Sequence, residues 1–104
     1  MTNRTAATRY ARALLDVALQ EQADLSTIES QLASFTALIQ REEALRRALL
    51  NPAVPAPRKR GAVAELVARA NLLPVVGKTL VLLAERDRLV ILPDLLEAYR
   101  QRLM

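Results

Sequence analysis

The sequence predicts an all-α protein, a compact six-helix bundle formed by a single domain over residues 1–104. The composition favours helices, because Ala, Leu, Arg and Glu are abundant while only 2 glycines and 5 prolines are present. Apolar residues recur at helical spacing, and no segment shows a convincing alternation typical of strands. With 52% hydrophobic residues but only 3% aromatic ones, the chain can build one core from Leu, Val, Ile and Ala.

The first three helices are predicted from their end signals. Helix one covers about residues 5–22, a stretch without a helix breaker. Helix two begins near Ser26, whose spacing to Glu29 fits a capping box. Its apolar residues follow at helical spacing: Ile28, Leu32, Phe35, Leu38 and Ile39. Helix three is EEALRRALL, with acids in its first turn, and it ends at Asn51 because Pro52 disfavours continuation.

The last three helices follow a proline-rich connector. NPAVPAPRKRG, residues 51–61, contains three prolines in six residues and is predicted to be extended at its start. Helix four is predicted from Pro57 to Asn71, and helix five covers about residues 74–87. Helix six uses Pro93-Asp94 as its first turn.

Residue types missing from the chain exclude several functions. There is no Cys and no His, which excludes disulfides, thiol nucleophiles, histidine bases and the usual zinc sites. The adjacent acids Glu42 and Glu43 point in different directions on a helix, and Asp87 and Asp94 are better interpreted as helix-end residues. We therefore predict a protein that is not an enzyme by itself and has no cofactor or metal site. No secretory signal and no apolar run of about 18 residues are visible, so direct membrane insertion is not expected.

The segment Gly77-Lys78-Thr79 resembles the end of a phosphate-binding loop. The full motif needs another glycine five positions before Gly77, where this chain has Leu72. It also needs a preceding strand, whereas ARANLLP is typical of a helix end and a turn. The pattern therefore does not predict a nucleotide site.

A net charge of +4 and a pI near 10.3 raise the hypothesis of nucleic-acid binding. Most arginines, however, are scattered between acids on helix faces, and only residues 58–60, RKR, form a basic run. No aromatic residues interleave with this run. We predict no nucleic-acid partner; the competing hypothesis would require a steep salt dependence of affinity.

Helices one and five carry apolar surfaces wider than one packing contact needs. Helix one has a core stripe and, beside it, a second stripe formed by Ala6, Tyr10, Ala13 and Val17. Helix five has a core face and, beside it, Val75 and Leu82, which are edged by Lys78, Thr79 and Arg86. Either both helices contact two neighbours in the bundle, or the second stripes line a shallow groove that binds an amphipathic helix.

Three segments resemble a known family: RYARALLDVA at residues 9–18, LLNPAVP at residues 49–55 and LLAERDRLVILPDLLEAYRQRL at residues 82–103. They resemble the δ subunit of the F-type ATP synthase, whose mitochondrial counterpart is the oligomycin-sensitivity-conferring protein. The likeness covers essentially the whole chain in the same order. It implies a six-helix N-terminal domain of a non-catalytic stator subunit in the proton-translocating ATP synthase, on the cytoplasmic side of a bacterial-type cell membrane.

The resemblance also implies partners and a binding site. The N-terminal helix of an α subunit would dock in a groove between helices one and five, beside other subunits of the catalytic head. The residues carried over by the resemblance are Tyr10, Ala13, Lys78, Thr79 and Leu82. The helical wheel adds Ala6, Val17, Val75 and Arg86.

One departure from the family concerns length. Family members usually continue into a C-terminal region that contacts the b subunit of the peripheral stalk, whereas this chain ends at Met104. Either the chain is a fragment of a longer subunit, or the stalk contact is made otherwise. The alternative function is a stand-alone helical adaptor for another amphipathic helix.

Overall fold

The computed structural model describes residues 3–104, and residues 1 and 2 of the predicted domain lie outside this range. The described chain forms six α-helices and one short 3-10 helix, without a strand. The predicted all-α, six-helix fold is therefore confirmed. The helices are α1 (Asn3–Gln20), α2 (Leu25–Arg41), α3 (Glu43–Leu50), α4 (Ala56–Ala70), α5 (Pro74–Glu85) and α6 (Leu92–Leu103), and the 3-10 helix (Leu89–Ile91) precedes α6.

The core lies between α1, α2, α5 and α6 and is almost entirely aliphatic. The most extensive helix contacts join α1 to α6 and α4 to α5, while α1 also contacts α5. Tyr99 of α6 is the largest fully buried side chain, and its hydroxyl donates a hydrogen bond of 2.9 Å to the Leu25 carbonyl at the start of α2. This bond satisfies the only polar atom of the buried side chain.

Residues in the left-handed region of the backbone end two helices earlier than the sequence predicts. Gln22 has φ 55° and Asp87 has φ 54°, so neither can continue the right-handed helix before it. Accordingly α1 ends at Gln20 and α5 ends at Glu85. The predicted end of α4 is confirmed, because Asn71 has φ 52° and follows the last helical residue.

The predicted capping box at the start of α2 is wrong. Asp24, not Ser26, is the N-cap: its carboxylate accepts hydrogen bonds from the backbone N–H groups of Ser26 at 3.0 Å and Thr27 at 3.4 Å. These bonds, the one from Thr27 foremost, hold the pKa of Asp24 below its ordinary value. Ser26 lies inside the helix, and Glu29 instead forms an ion pair of 3.5 Å with Arg100 of α6.

Two ion pairs fasten the first turns of α4 to the end of α5. Lys59 is buried, and its ammonium pairs with the carboxylate of Asp87, which is half exposed. Arg60 pairs with Glu85 at 2.8 Å. Two of the three residues in the basic run 58–60 therefore pair with acids of the same chain.

Within residues 3–104, no helix combines the length and the apolar character that a bilayer-spanning segment requires.

Candidate functional site

The α1 wall of the candidate site is formed by the second apolar stripe of that helix. Ala13 is exposed, Val17 is 40% exposed and Tyr10 is half-buried. The neighbouring core stripe is closed, since Ala7, Ala11, Leu14 and Ala18 are all buried. Helix α1 therefore keeps apolar side chains on the surface beside those that it contributes to the core.

The α5 wall combines apolar and polar side chains. Val76, Leu80, Leu83 and Ala84 lie in the core, as their face of the helical wheel predicts. Beside them, Leu82 and Thr79 are partly exposed and Lys78 is exposed. The Thr79 hydroxyl donates to the Val75 carbonyl at 2.8 Å, so it is satisfied within the helix and needs no outside partner.

Between these two walls lies an open groove of about 210 Å³ with a mainly apolar surface. It contains seven of the nine predicted site residues: Tyr10, Ala13, Val17, Val75, Lys78, Thr79 and Leu82. Leu14 and Glu21 also line it, and the sequence did not indicate either. Leu14 belongs to the core stripe and reaches the groove from below, while Glu21 follows the last residue of α1.

The other two predicted residues have different positions. Ala6 is only 6% exposed and belongs to the core, and it is not among the residues that line the groove. Arg86 lies just outside the lining, where one of its Nη atoms donates a hydrogen bond of 3.0 Å to the hydroxyl of Tyr10. This bond joins the two walls at one end of the groove. Val75, also 6% exposed, contributes to the floor rather than to an open rim.

A second and larger depression, of about 570 Å³, lies on a neighbouring side of α5, against α4. The sequence did not predict it. It shares Lys78 and Leu82 with the groove, and its other lining residues are Ala64, Val67, Ala68, Pro74, Gly77, Val81 and Glu85. Helix α5 therefore has three occupied sides, facing the core, α1 and α4, which explains why its apolar residues do not keep to one face.

The segment Gly77-Lys78-Thr79 is helical, not a loop. It lies within α5, and Gly77 has no positive φ. A Cβ atom at Gly77 would lie 2.6 Å from Cγ1 of Val67 in α4. The glycine is therefore explained by the close approach of two helices, and its backbone does not have the shape of a phosphate-binding loop.

Comparison with known protein families shows which family this chain belongs to. Residues 6–104 match the model of the family described as "ATP synthase delta (OSCP) subunit". The chain belongs to this family. The resemblance inferred from the three sequence segments is thus confirmed.

Individual members of the δ (OSCP) family agree with this match. The chain is 34% identical over 99 residues to ATP synthase subunit delta of Citrifermentans bemidjiense, which covers 95% of this chain and 54% of that protein. It is 36% identical over 101 residues to the Bacillus subtilis protein of the same name, a match that covers 95% of this chain and 53% of that protein. The Hyphomonas neptunium protein of the same name is 40% identical over 82 residues, and this match covers 79% of this chain and 45% of that protein. The chain spans about half the length of these curated relatives.

Proposed function

We propose that this chain acts as a non-catalytic stator component of an F-type proton-translocating ATP synthase and binds the N-terminal helix of an α subunit. The groove between α1 and α5 is the proposed binding site. The observation that carries the proposal is the open apolar strip formed by Tyr10, Ala13, Val17 and Leu82 in a member of the δ (OSCP) family.

The shape of the groove suits an amphipathic helix. Ala13 is small, so the backbone of a partner helix can approach α1 closely, while the Tyr10 ring offers a large contact area next to a polar tip. Apolar residues of the partner at i, i+3 and i+4 spacing would fill the strip. Each fully buried anchor would contribute roughly 1.5–3 kcal/mol before the cost of ordering both surfaces.

The proposed role is mechanical. Rotation of a central stalk exerts torque on the catalytic head, and a stator has to hold the head in place. A link of this kind needs a long-lived contact between helices and no chemical step. We place the protein at the cytoplasmic face of the membrane as a peripheral part of the complex, next to other subunits of the catalytic head. Contact with the b subunit of the stalk is not assigned to these residues.

Titration with a synthetic peptide tests this proposal. The peptide contains the N-terminal segment of the α subunit from the same organism, and binding is followed by calorimetry and by NMR shifts. We expect Ala13→Asp and Leu82→Asp to weaken binding at least about 10-fold, because each would bring a charged carboxylate into the apolar contact surface. Circular dichroism should show that both variants remain helical.

Ala68→Asp is the matched control. Ala68 is also an exposed helical alanine, but it lines the depression between α4 and α5. This variant should bind the peptide as the wild type does. Equal affinities of wild type, Ala13→Asp and Leu82→Asp would reject the groove assignment. Equally tight binding of unrelated amphipathic peptides would instead support a general helical adaptor.

A further inference from the structure

We infer that the helix bound in the groove carries two acidic side chains, about seven or eight residues apart, which pair with Lys78 and Arg86 along α5. This inference rests on the proposed function, because it specifies the partner of the same groove. The inference concerns the polar residues of the partner helix. Its apolar residues fill the groove, as described under the proposed function.

Lys78 lies on α5, and Arg86 directly follows the last residue of that helix, Glu85. The two cations are eight positions apart, which corresponds to about 12 Å along the helix axis. Both side chains are exposed, Lys78 in the lining of the groove and Arg86 at its end, next to Tyr10. Within the described part of the chain, neither cation forms an ion pair.

The acids that neighbour Arg86 in sequence are already engaged elsewhere. Glu85 pairs with Arg60 and Asp87 pairs with Lys59, so both acids are directed toward α4. Arg86 stands between them in sequence but contacts Tyr10 of α1. Glu21 is the acid that lines the groove, and it forms no ion pair with Lys78 among the described residues. The α5 wall thus presents two positive charges that the fold itself leaves uncompensated.

The Tyr10 hydroxyl prepares Arg86 to bind a carboxylate. The hydroxyl accepts a hydrogen bond from one N–H group of the guanidinium. The remaining N–H groups are left to donate hydrogen bonds to an incoming carboxylate. A side chain that is held before binding loses less conformational entropy when the partner arrives. On a helix lying along α5, residues seven or eight apart lie near the same side, and their separation along the axis matches the rise of about 12 Å between backbone positions 78 and 86.

Charge reversal on both partners tests the inference. The chain variants are Lys78→Glu and Arg86→Glu, with Arg58→Glu as the control for an equal change of charge at an exposed site outside the groove. They are titrated with the α-subunit peptide and with peptides in which one Asp or Glu at a time is changed to Lys. We expect each groove variant to bind about 10-fold more weakly at low salt and less than about 3-fold at 0.5 M salt, since salt screens exposed charges. Arg58→Glu should remain within about twofold of wild type.

Restored binding identifies the paired residues. One Lys-substituted peptide should restore affinity for Lys78→Glu, and a different one, changed seven or eight positions away, should restore affinity for Arg86→Glu. If Leu82→Asp abolishes binding while both charge reversals bind like the wild type, the inference is wrong and the proposed function stands. Loss of affinity without restoration by any peptide, or restoration of both variants by one peptide, also overturns it. If the wild type does not bind the peptide, the proposed function fails, and the inference fails with it.

Discussion

Gly77 of α5 lies so close to Val67 of α4 that a Cβ atom on the glycine would be 2.6 Å from the Cγ1 atom of the valine. Real Cβ atoms essentially never approach another heavy atom so closely. The absence of a side chain at residue 77 therefore sets the distance between two helices that contact each other extensively. The glycine in a segment that resembles a phosphate loop is thus a packing residue.

We expect Gly77→Ala to lower the free energy of unfolding by about 1–2 kcal/mol. Overpacking against a stiff β-branched side chain costs about 1–3 kcal/mol, and the better helix propensity of alanine offsets part of this cost. Urea denaturation of Gly77→Ala, Val67→Ala and the double variant measures the coupling between the two positions. The double variant should be more stable than the sum of the single effects predicts. Strict additivity would show that the contact does not limit the approach of the helices.

Asp87 is the counter-ion of the buried Lys59 ammonium. Substitutions of these two residues should therefore lower the free energy of unfolding by different amounts. Asp87→Asn retains a residue that tolerates φ 54° but removes the negative charge. Because it leaves a buried ammonium without its counter-ion, we expect a loss of roughly 1–3 kcal/mol, moderated by the half-exposed position of Asp87. Lys59→Met removes the buried charge itself and should cost less. Chemical denaturation of both variants checks the order, and a larger loss for Lys59→Met would contradict it.

Asp24 should make stability depend on pH in the acid range. Its pKa is lowered in the folded state by the N–H groups of Thr27 and Ser26, so the ionised form favours folding. This contribution is fully present above the ordinary value of 3.8 and is lost as the pH falls through the lower folded-state pKa. Asp24→Asn keeps a capping side chain that does not titrate. Melting temperatures from pH 2 to 7 should therefore fall less steeply below about pH 4 for Asp24→Asn than for wild type; identical curves would exclude Asp24 as the cause.

Tyr99 should affect stability in the alkaline range. Burial raises its pKa, and the nearby negative charges of Glu29 and Asp24 act in the same direction. Because the folded state favours the neutral phenol, this contribution is present below the ordinary pKa of 10.0 and is lost as the pH rises through the higher folded-state value. Tyr99→Phe removes the titrating group.

We expect Tyr99→Phe to cost about 1 kcal/mol at neutral pH through the lost hydrogen bond to the Leu25 carbonyl. The penalty should shrink or reverse above about pH 11, where ionisation of the phenol destabilises the folded wild type. Urea midpoints of wild type and variant at pH 7 and pH 11 measure this crossover. If the urea midpoints of the two proteins differ by the same amount at both pH values, Tyr99 has the same pKa in the folded and unfolded states.

Local properties of the chain were enough to predict most of the fold. Helical periodicity separated the core face of α5 from its other sides, and Pro74, Pro93 and Asn71 marked helix ends because their backbone preferences act within a few residues. The choice of cap for α2 was also local but ambiguous, since Asp24 and Ser26 can both cap a helix. The direction of the Asp24 carboxylate toward two N–H groups decided it.

The sequence by itself determined the helical class, the positions of most helix ends and the family to which the chain belongs. Only the tertiary structure decided which apolar residues remain open. Ala6 and Ala13 share one stripe of α1, yet packing buries the first and leaves the second exposed. Likewise, only the approach of α4 to α5 buried Lys59 against Asp87 and left no room for a Cβ atom at Gly77 unless Val67 shifts. The physical reason is that a helical pattern gives the direction of a side chain, whereas burial depends on which distant segment of the chain lies in that direction.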